Sequence, residues 1–159
     1  MNENNLEKII NNIVGDAIVK EVMSLKLAVK LIETVEEKAA EMGLAVAVAV
    51  SDASGRPIAV HCMDGAYHGS FDVAVNKTYT STAFQMSTAK LSRLCQPGQD
   101  LYGLQFSNNG KVMILGGGEP LMVGKTMIGA LGVSGGSAQE DSDLAAYGAS
   151  ALKEVIKCL

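Results

Sequence analysis

The chain has 159 residues, which suits a single domain, and its hydrophobic share of 48% is enough to build a core. A net charge of −4 with no cluster of lysine or arginine argues against a nucleic-acid surface, and 4% aromatic residues with no tryptophan argue against base stacking. No apolar run reaches membrane-spanning length, no secretory signal is present, and three cysteines without metal or redox spacing indicate a reduced, cytoplasmic protein.

An amphipathic helix is predicted within residues 1–22. Its apolar residues recur at spacings of three and one, the pattern of a helix with one apolar face. They are Leu6, Ile9, Ile10, Ile13, Val14, Ala17 and Ile18. Because so short a helix is marginal alone in water, this stripe needs a partner surface. We treat residues 1–22 as an extension and residues 23–159 as the domain.

A second helix and a β-hairpin are predicted next. Ser24 can cap the helix and Gly43 can end it. The apolar face of this helix comprises Ala28, Leu31, Ile32, Val35, Ala39 and Met42. Residues 44–50 form a continuous apolar run that predicts a buried strand, and residues 56–62 return beside it after a turn. Residues 63–69 are predicted to form a loop.

The second half of the domain is predicted to hold two helices and three strands. Helical spacing within residues 71–89 predicts one long helix, and the polar stretch that follows, 91–109, predicts a long connection across the site. Strands are predicted at 112–115, 120–123 and 127–133, and a final helix at 139–159. The resulting fold class is α+β, with a five-stranded antiparallel sheet and packed helices.

Two glycine clusters are the strongest candidates for a ligand site. They consist of Gly116, Gly117 and Gly118, and of Gly135 and Gly136, and they bracket a predicted hairpin. Meeting at one end of the sheet, they would line a pocket with backbone N–H groups. They match neither the dinucleotide-binding glycine pattern nor the P-loop pattern. Tight turns without a ligand are the alternative.

Four separated segments carry a resemblance to a known family. They are SDASGRPIAVHCMDGA at 51–66, DVAVNKTYT at 72–80, GGGEP at 116–120 and IGALGVSGGSAQEDSDLA at 128–145. In order and spacing they resemble the GlcG/HbpS family of haem-binding proteins, also called the haem-degrading domain family. The same domain forms the C-terminal part of PduO-type corrinoid adenosyltransferases. The resemblance covers about residues 25–152 and implies a profilin-like antiparallel sheet and a homo-oligomer.

The function that this resemblance implies is binding of haem or a related tetrapyrrole or corrinoid, accessory to diol or hydroxy-acid metabolism. Two alternatives from other classes stay open. One is a small enzyme that acts on a hydroxy acid, aldehyde or diol product through Lys77 and Asp64. The other is a structural or assembly subunit without chemistry. Since the sequence shows no adenosyltransferase domain, we do not expect it to form adenosylcobalamin alone.

Five residues outside the glycine clusters are candidate ligand contacts. Lys77 occupies a lysine position of the family and could bind a carboxylate or propionate, although a solvated helix face is the alternative. Asp64 and Gly65 form a turn that could hold a ligand, act as acid or base, or simply stabilise the loop. The only two histidines, His61 and His68, could each ligate haem iron.

The sequence departs from the family at Cys62, where arginine is common, so an anionic ligand contact from this position is in doubt. We expect Cys62 to be a buried, inert thiol, and a thiolate ligand of haem iron, which would need a lowered pKa, is the alternative. Glu140, Asp141 and Asp143 precede or open the last helix, where acidic groups are favourable, and we predict no metal site there.

Residues 1–20 are similar to the N-terminal encapsulation peptides of bacterial microcompartment cargo: a polar start followed by one amphipathic helix. That similarity implies a shell protein as partner and a location inside a microcompartment within the cytoplasm. The alternative is an oligomerisation helix that packs on the domain itself.

Overall fold

The computed structural model describes residues 22–159, so the predicted amphipathic segment 1–20 lies outside the described residues. Eight regular elements follow one another, joined between α3 and β3 by short 3-10 turns at Leu104–Phe106 and Asn108–Gly110. They are α1 (Leu25–Glu41), β1 (Ala47–Asp52), β2 (Pro57–Cys62), α2 (Ser70–Phe84), α3 (Thr88–Leu94), β3 (Gly118–Val123), β4 (Thr126–Ser134) and α4 (Ala138–Lys157).

The sheet of the described region is antiparallel and has four strands in the order β2-β1-β4-β3, so the prediction of five strands is wrong. The missing strand is residues 112–115. Its backbone is held by a helix instead, because the Met113 N–H donates to Thr80 Oγ1 (2.8 Å). Its apolar side chain Val112 is buried in a small cluster with Leu91.

The two faces of the sheet are covered very differently. Helices α1 and α4 pack on one face and form the main core with residues such as Val48 and Leu131. Helix α2 covers the other face, where only small residues fit. A Cβ at Gly132 would collide with the carbonyl oxygen of Ala74, so the helix backbone lies close against β4.

Local signals at α1 are confirmed, with two differences. The Ser24 hydroxyl accepts from the Leu27 N–H (3.1 Å), as predicted for a cap. Met42 lies beyond the last helical turn and is 39% exposed, so it is not a core residue. The first strand begins three residues later than predicted, because the Leu44 N–H bonds the Ala39 carbonyl and finishes the helix (2.9 Å).

The single helix predicted over residues 71–89 is two helices. Gln85 ends α2 in the left-handed conformation (φ 52°), which breaks the ladder of helical hydrogen bonds. Ser87 then caps α3 by accepting from the Lys90 N–H (3.2 Å). The predicted connection at 91–109 therefore begins inside α3.

Candidate functional site

Lys77 forms a buried ion pair that joins three elements. Its side chain is 1% exposed, although it lies on α2, the helix that covers the sheet face opposite α1 and α4. Its Nζ donates to the Val133 carbonyl (2.6 Å) on β4 and to Asp141 Oδ2 (2.7 Å) on α4. The second carboxylate oxygen, Oδ1, accepts from the Gly136 N–H (2.9 Å). The alternative that Lys77 belongs to a solvated helix face is therefore wrong.

The first glycine cluster packs directly on this ion pair. Gly117 has a φ of +111°, and a Cβ there would lie 2.8 Å from Lys77 Nζ and 2.6 Å from the Val133 oxygen. Only glycine combines this backbone conformation with so close an approach. The Gly118 N–H is also used internally, since it donates to Thr88 Oγ1 (2.9 Å).

The remaining glycines make equally tight contacts. A Cβ at Gly116 would collide with the Ser142 hydroxyl on α4, and one at Gly135 would lie 2.5 Å from the Ala45 carbonyl oxygen. The Gly136 N–H is the one that bonds Asp141. The structure thus brings both clusters together around an internally bonded junction.

The electrostatics of this junction favour a structural role for Lys77. Burial lowers the pKa of Lys77, while its hydrogen bond with Asp141 and the charge of that carboxylate oppose the shift. Two of the three ammonium donors are engaged within the chain. A propionate or carboxylate could take either of these two donors only by displacing Asp141 or Val133, and the third donor belongs to a side chain that is 1% exposed.

The loop at 63–69 lies beside the second glycine cluster. A Cβ at Gly65 would be 3.8 Å from the side chain of Ala45, the residue whose carbonyl faces Gly135. Asp64, Gly65 and His68 are exposed. The hydrogen bonds of Lys77 go elsewhere, so Asp64 and Lys77 are not joined as a catalytic pair would be.

His61 and Glu36 form a half-buried pair that the sequence did not suggest. His61 lies on β2 opposite Val48, on the sheet face that α1 covers. Its Nδ1 is 3.2 Å and 3.3 Å from the two carboxylate oxygens of Glu36 on α1. The side chains are 36% and 24% exposed, respectively. A carboxylate on Nδ1 fixes the ring tautomer and leaves Nε2 free to act as a ligand.

The residue after His61, Cys62, is exposed, so the prediction of a buried thiol is wrong. The physical reason is its place at the end of β2, an edge strand that no further strand of the described region covers.

The other carboxylates near the glycine clusters differ in their contacts and in their roles. Glu140 forms a capping box with Ser137, whose N–H donates to Glu140 Oε2 (2.8 Å), and this backbone hydrogen bond lowers the pKa of Glu140. The predicted helix-opening role of Glu140 is confirmed. Asp143 accepts from Gln139 Nε2 (2.8 Å). Glu119, within the GGGEP segment, is half-buried, and burial raises its pKa.

Two apolar clefts open at the opposite end of α4 from the ion pair. One, of about 390 Å³, lies between α4 and the β3–β4 turn. The other, of about 530 Å³, lies beside the first turns of α1, and we call it the α1 cleft. Its lining residues are Leu25, Lys26, Val29, Lys30, Glu33 and Leu159.

The sequence profile of the family described as haem degrading protein HbpS-like matches residues 23–150. The chain belongs to the HbpS-like family. This confirms the resemblance carried by the four segments. The HbpS-like match begins at residue 23, directly after the amphipathic segment.

Two curated relatives illustrate the range of HbpS-like proteins. The chain is 38% identical over 123 residues to an uncharacterised 15.0 kDa protein from the dhaT–dhaS intergenic region of Citrobacter freundii, covering 77% of this chain and 87% of the relative. It is 38% identical over 109 residues to the corrinoid adenosyltransferase PduO of Salmonella typhimurium, covering 69% of this chain. The match spans only 32% of PduO.

Solved structures share the HbpS-like fold. Protein ORFY of Klebsiella pneumoniae superposes with a TM-score of 0.80 at 35% identity, covering 82% of this chain and 90% of that one. A complex of PduOC with haem gives 0.78 at 35% identity, with coverages of 82% and 94%. Streptomyces reticuli HbpS, as a double mutant, gives 0.73 at 26% identity, with coverages of 82% and 87%. Within residues 22–159, no helix has the length and apolar character needed to cross a bilayer.

Proposed function

We propose that this HbpS-like protein binds haem or a related tetrapyrrole or corrinoid, in a role accessory to diol or hydroxy-acid metabolism. The family description and the haem complex of the similar PduOC support the ligand. The metabolic setting is what the GlcG/HbpS resemblance implies, and the corrinoid is supported by the similarity to PduO, a corrinoid adenosyltransferase by name.

The observation that carries the proposal is the pairing of His61 with Glu36. Neutral imidazole is a common axial ligand of haem iron, and a carboxylate on its second nitrogen increases its basicity. The Nδ1 contacts of 3.2 Å and 3.3 Å orient the ring toward α1, and the His61 side chain remains 36% exposed. His61 therefore has a fixed orientation and a side chain that is partly open to solvent.

The residues present fit haem in the following way. His61 would supply the iron ligand through Nε2, and Glu36 would orient the ring and hold the proton on Nδ1. When bound, haem supplies a redox-active iron. Lys77 is not assigned to a propionate, because its donors bond Val133 and Asp141.

The matched pair of histidines makes this proposal testable, because His61 and His68 are the only two in the chain. Haem is titrated into haem-free protein and the Soret band is followed. His61→Ala should weaken binding by about tenfold or more, equivalent to about 1.4 kcal/mol. His68→Ala should leave the titration unchanged. Loss of binding in His68→Ala alone would show that His68, on the loop, is the iron ligand instead of His61. No Soret shift in the unaltered protein would contradict the proposal that it binds haem.

A homo-oligomer is part of the proposal. Five of the seven aromatic residues are exposed: Tyr67, Phe71, Tyr102, Phe106 and Tyr147. Phe106 is 82% exposed, which is a large apolar surface to leave in water. Light scattering at micromolar concentration should report an oligomer, and a monomer alone would contradict this part.

The enzyme alternative gains no support from the geometry. It requires Lys77 and Asp64 to act together, whereas Lys77 is buried in its own ion pair and Asp64 is exposed on a loop. Turnover of a hydroxy acid, aldehyde or diol that is lost in Asp64→Asn would revive it.

Shell targeting by residues 1–20 stays a prediction, with a microcompartment as the location. The relatedness to PduO supports it only indirectly. Fusing residues 1–20 to a fluorescent protein and expressing it with microcompartment shells tests it. Diffuse fluorescence that Ile10→Glu does not change would discard targeting.

A further inference from the structure

We infer that the apolar stripe of residues 6–18 docks into the α1 cleft of its own chain. The floor of this cleft is apolar and open to water. Leu25 is 62% exposed and Leu159 is 41% exposed, and Val22, where the described chain begins, is 55% exposed. Leu25 and Leu159 line the cleft, and Val22 lies three residues before Leu25, where the amphipathic segment joins the domain.

The tether places the stripe beside this surface. Met23 is 3% exposed and belongs to the main core, so the start of the domain is anchored. Ile18 precedes Met23 by five residues, which limits its distance from this anchor to about 18 Å even in a fully extended chain. Leu25, in the floor of the cleft, follows Met23 by two residues.

Charge also favours this occupant. Residues 1–21 carry four carboxylates (Glu3, Glu7, Asp16 and Glu21) against two lysines, Lys8 and Lys20, a side-chain charge of −2. The rim of the cleft carries Lys26 and Lys30 against Glu33. An acidic amphipathic helix that lays its apolar face on Leu25, Val29 and Leu159 would bring its polar face to a basic rim.

The same tether argues for the same chain over a second copy. A short linker gives the attached segment an effective concentration of about millimolar at the cleft. A separate molecule at micromolar concentration would need about a thousandfold higher intrinsic affinity to displace it.

The chain carries its own reporter for this contact. Cys158 is exposed and directly precedes Leu159, which lines the cleft. In a Cys62→Ser background it is the only exposed thiol of the described region, since Cys95 is 2% exposed. Ile13→Cys places a second thiol on the apolar stripe. Asn12→Cys places one on the opposite face at almost the same distance along the chain and is the matched control.

The two full-length variants are oxidised with diamide and followed on non-reducing gels. We expect Ile13→Cys to form an intramolecular disulfide with Cys158 at least about tenfold faster than Asn12→Cys. Equal rates would overturn the inference. A dimer-sized product from Ile13→Cys would also overturn it, by placing the stripe in the cleft of another copy.

A second variant guards against a chance encounter of two mobile thiols. Adding Leu25→Glu to Ile13→Cys places a charge in the floor of the cleft, at a residue exposed enough that the fold tolerates it. The disulfide should then form at the rate of the Asn12→Cys control, with an unchanged circular dichroism spectrum. An unaffected rate would show that the α1 cleft is not the docking site. Because the assay uses haem-free protein, its result is independent of the haem proposal.

Discussion

Replacing Lys77 by methionine is expected to destabilise the domain strongly. Methionine keeps most of the length and apolar stem of the side chain but removes the ammonium group. Asp141, which is 4% exposed, would then be a buried carboxylate whose remaining hydrogen bond comes from the Gly136 N–H. The Val133 carbonyl would also lose its 2.6 Å donor from the side chain.

The magnitude follows from the burial of both partners. Removing one member of a buried ion pair costs about 3–5 kcal/mol, because the other charge stays buried without compensation. A domain of this size has a free energy of unfolding of roughly 5–15 kcal/mol, so the variant loses between about a fifth and all of it. Adding Asp141→Asn removes the orphan charge while its amide oxygen can still accept from Gly136. The double variant should therefore recover part of the loss.

Urea unfolding of the haem-free protein, followed by circular dichroism at pH 7, measures these free energies. Lys30→Met is the control: its ammonium also contacts a carboxylate, Glu33 at 3.1 Å, but the Lys30 side chain is 50% exposed. The urea midpoint of this control should not change measurably. A loss below about 1 kcal/mol in Lys77→Met, or a double variant less stable than Lys77→Met, would refute the assignment of Lys77 to a stabilising junction.

Three further outcomes are expected. Gly117→Ala should lower the free energy of unfolding in urea by more than about 3 kcal/mol, because it combines backbone strain with a collision at Lys77. Gly43 also has a positive φ (+71°) but has open space around it, so Gly43→Ala should cost only about 1–2 kcal/mol. Equal losses in the two variants would contradict the close packing at Gly117. Burial raises the pKa of Glu119 above 4.5, so the stability that this carboxyl contributes is fully present below pH 4.5 and is lost as the pH rises through the folded pKa. Glu119→Gln should therefore raise Tm at pH 7 but not at pH 4. A gain at both pH values would point to another cause. Glu36→Gln should raise the midpoint potential of bound haem, because a neutral amide makes His61 a weaker donor to ferric iron, and spectroelectrochemistry showing no shift would separate Glu36 from the iron ligand.

Local patterns were enough to predict the helices at both ends of the domain. Ser24 and Gly43 bound α1 through caps whose partners lie within a few residues. Ser137 and Glu140 form a capping box that can be found from the sequence spacing alone. Signals of this kind depend on neighbours along the chain, so they survive without knowledge of the fold.

The failures arose where distant residues decide the outcome. The apolar residues 112–115 would also suit a strand. The Met113 N–H instead donates to the hydroxyl of Thr80, which lies more than thirty residues earlier in the chain. The pairing of Glu36 with His61 spans 25 residues and has no local sequence signature.

The glycine clusters show the same limit within the candidate site. The sequence predicts that the clusters meet at one end of the sheet and makes Lys77 a candidate ligand contact. Its pairing with Asp141, across 64 residues, decides that the junction is filled from within the chain. No spacing rule contains that information, because it depends on how closely α2 approaches the sheet.

The strand order has a consequence for synthesis of the protein. Strand β1 lies inside the sheet, between β2, which follows it at once, and β4, which it meets from Ala47↔Ser134 to Asp52↔Gly129. On a ribosome that adds about 5–20 residues per second, β4 begins to emerge roughly 3–13 s after β2 is complete. For that interval the inner edge of the hairpin is open to any other extended chain. The risk of aggregation in the cell is therefore set by the speed of translation as well as by the stability of the finished domain.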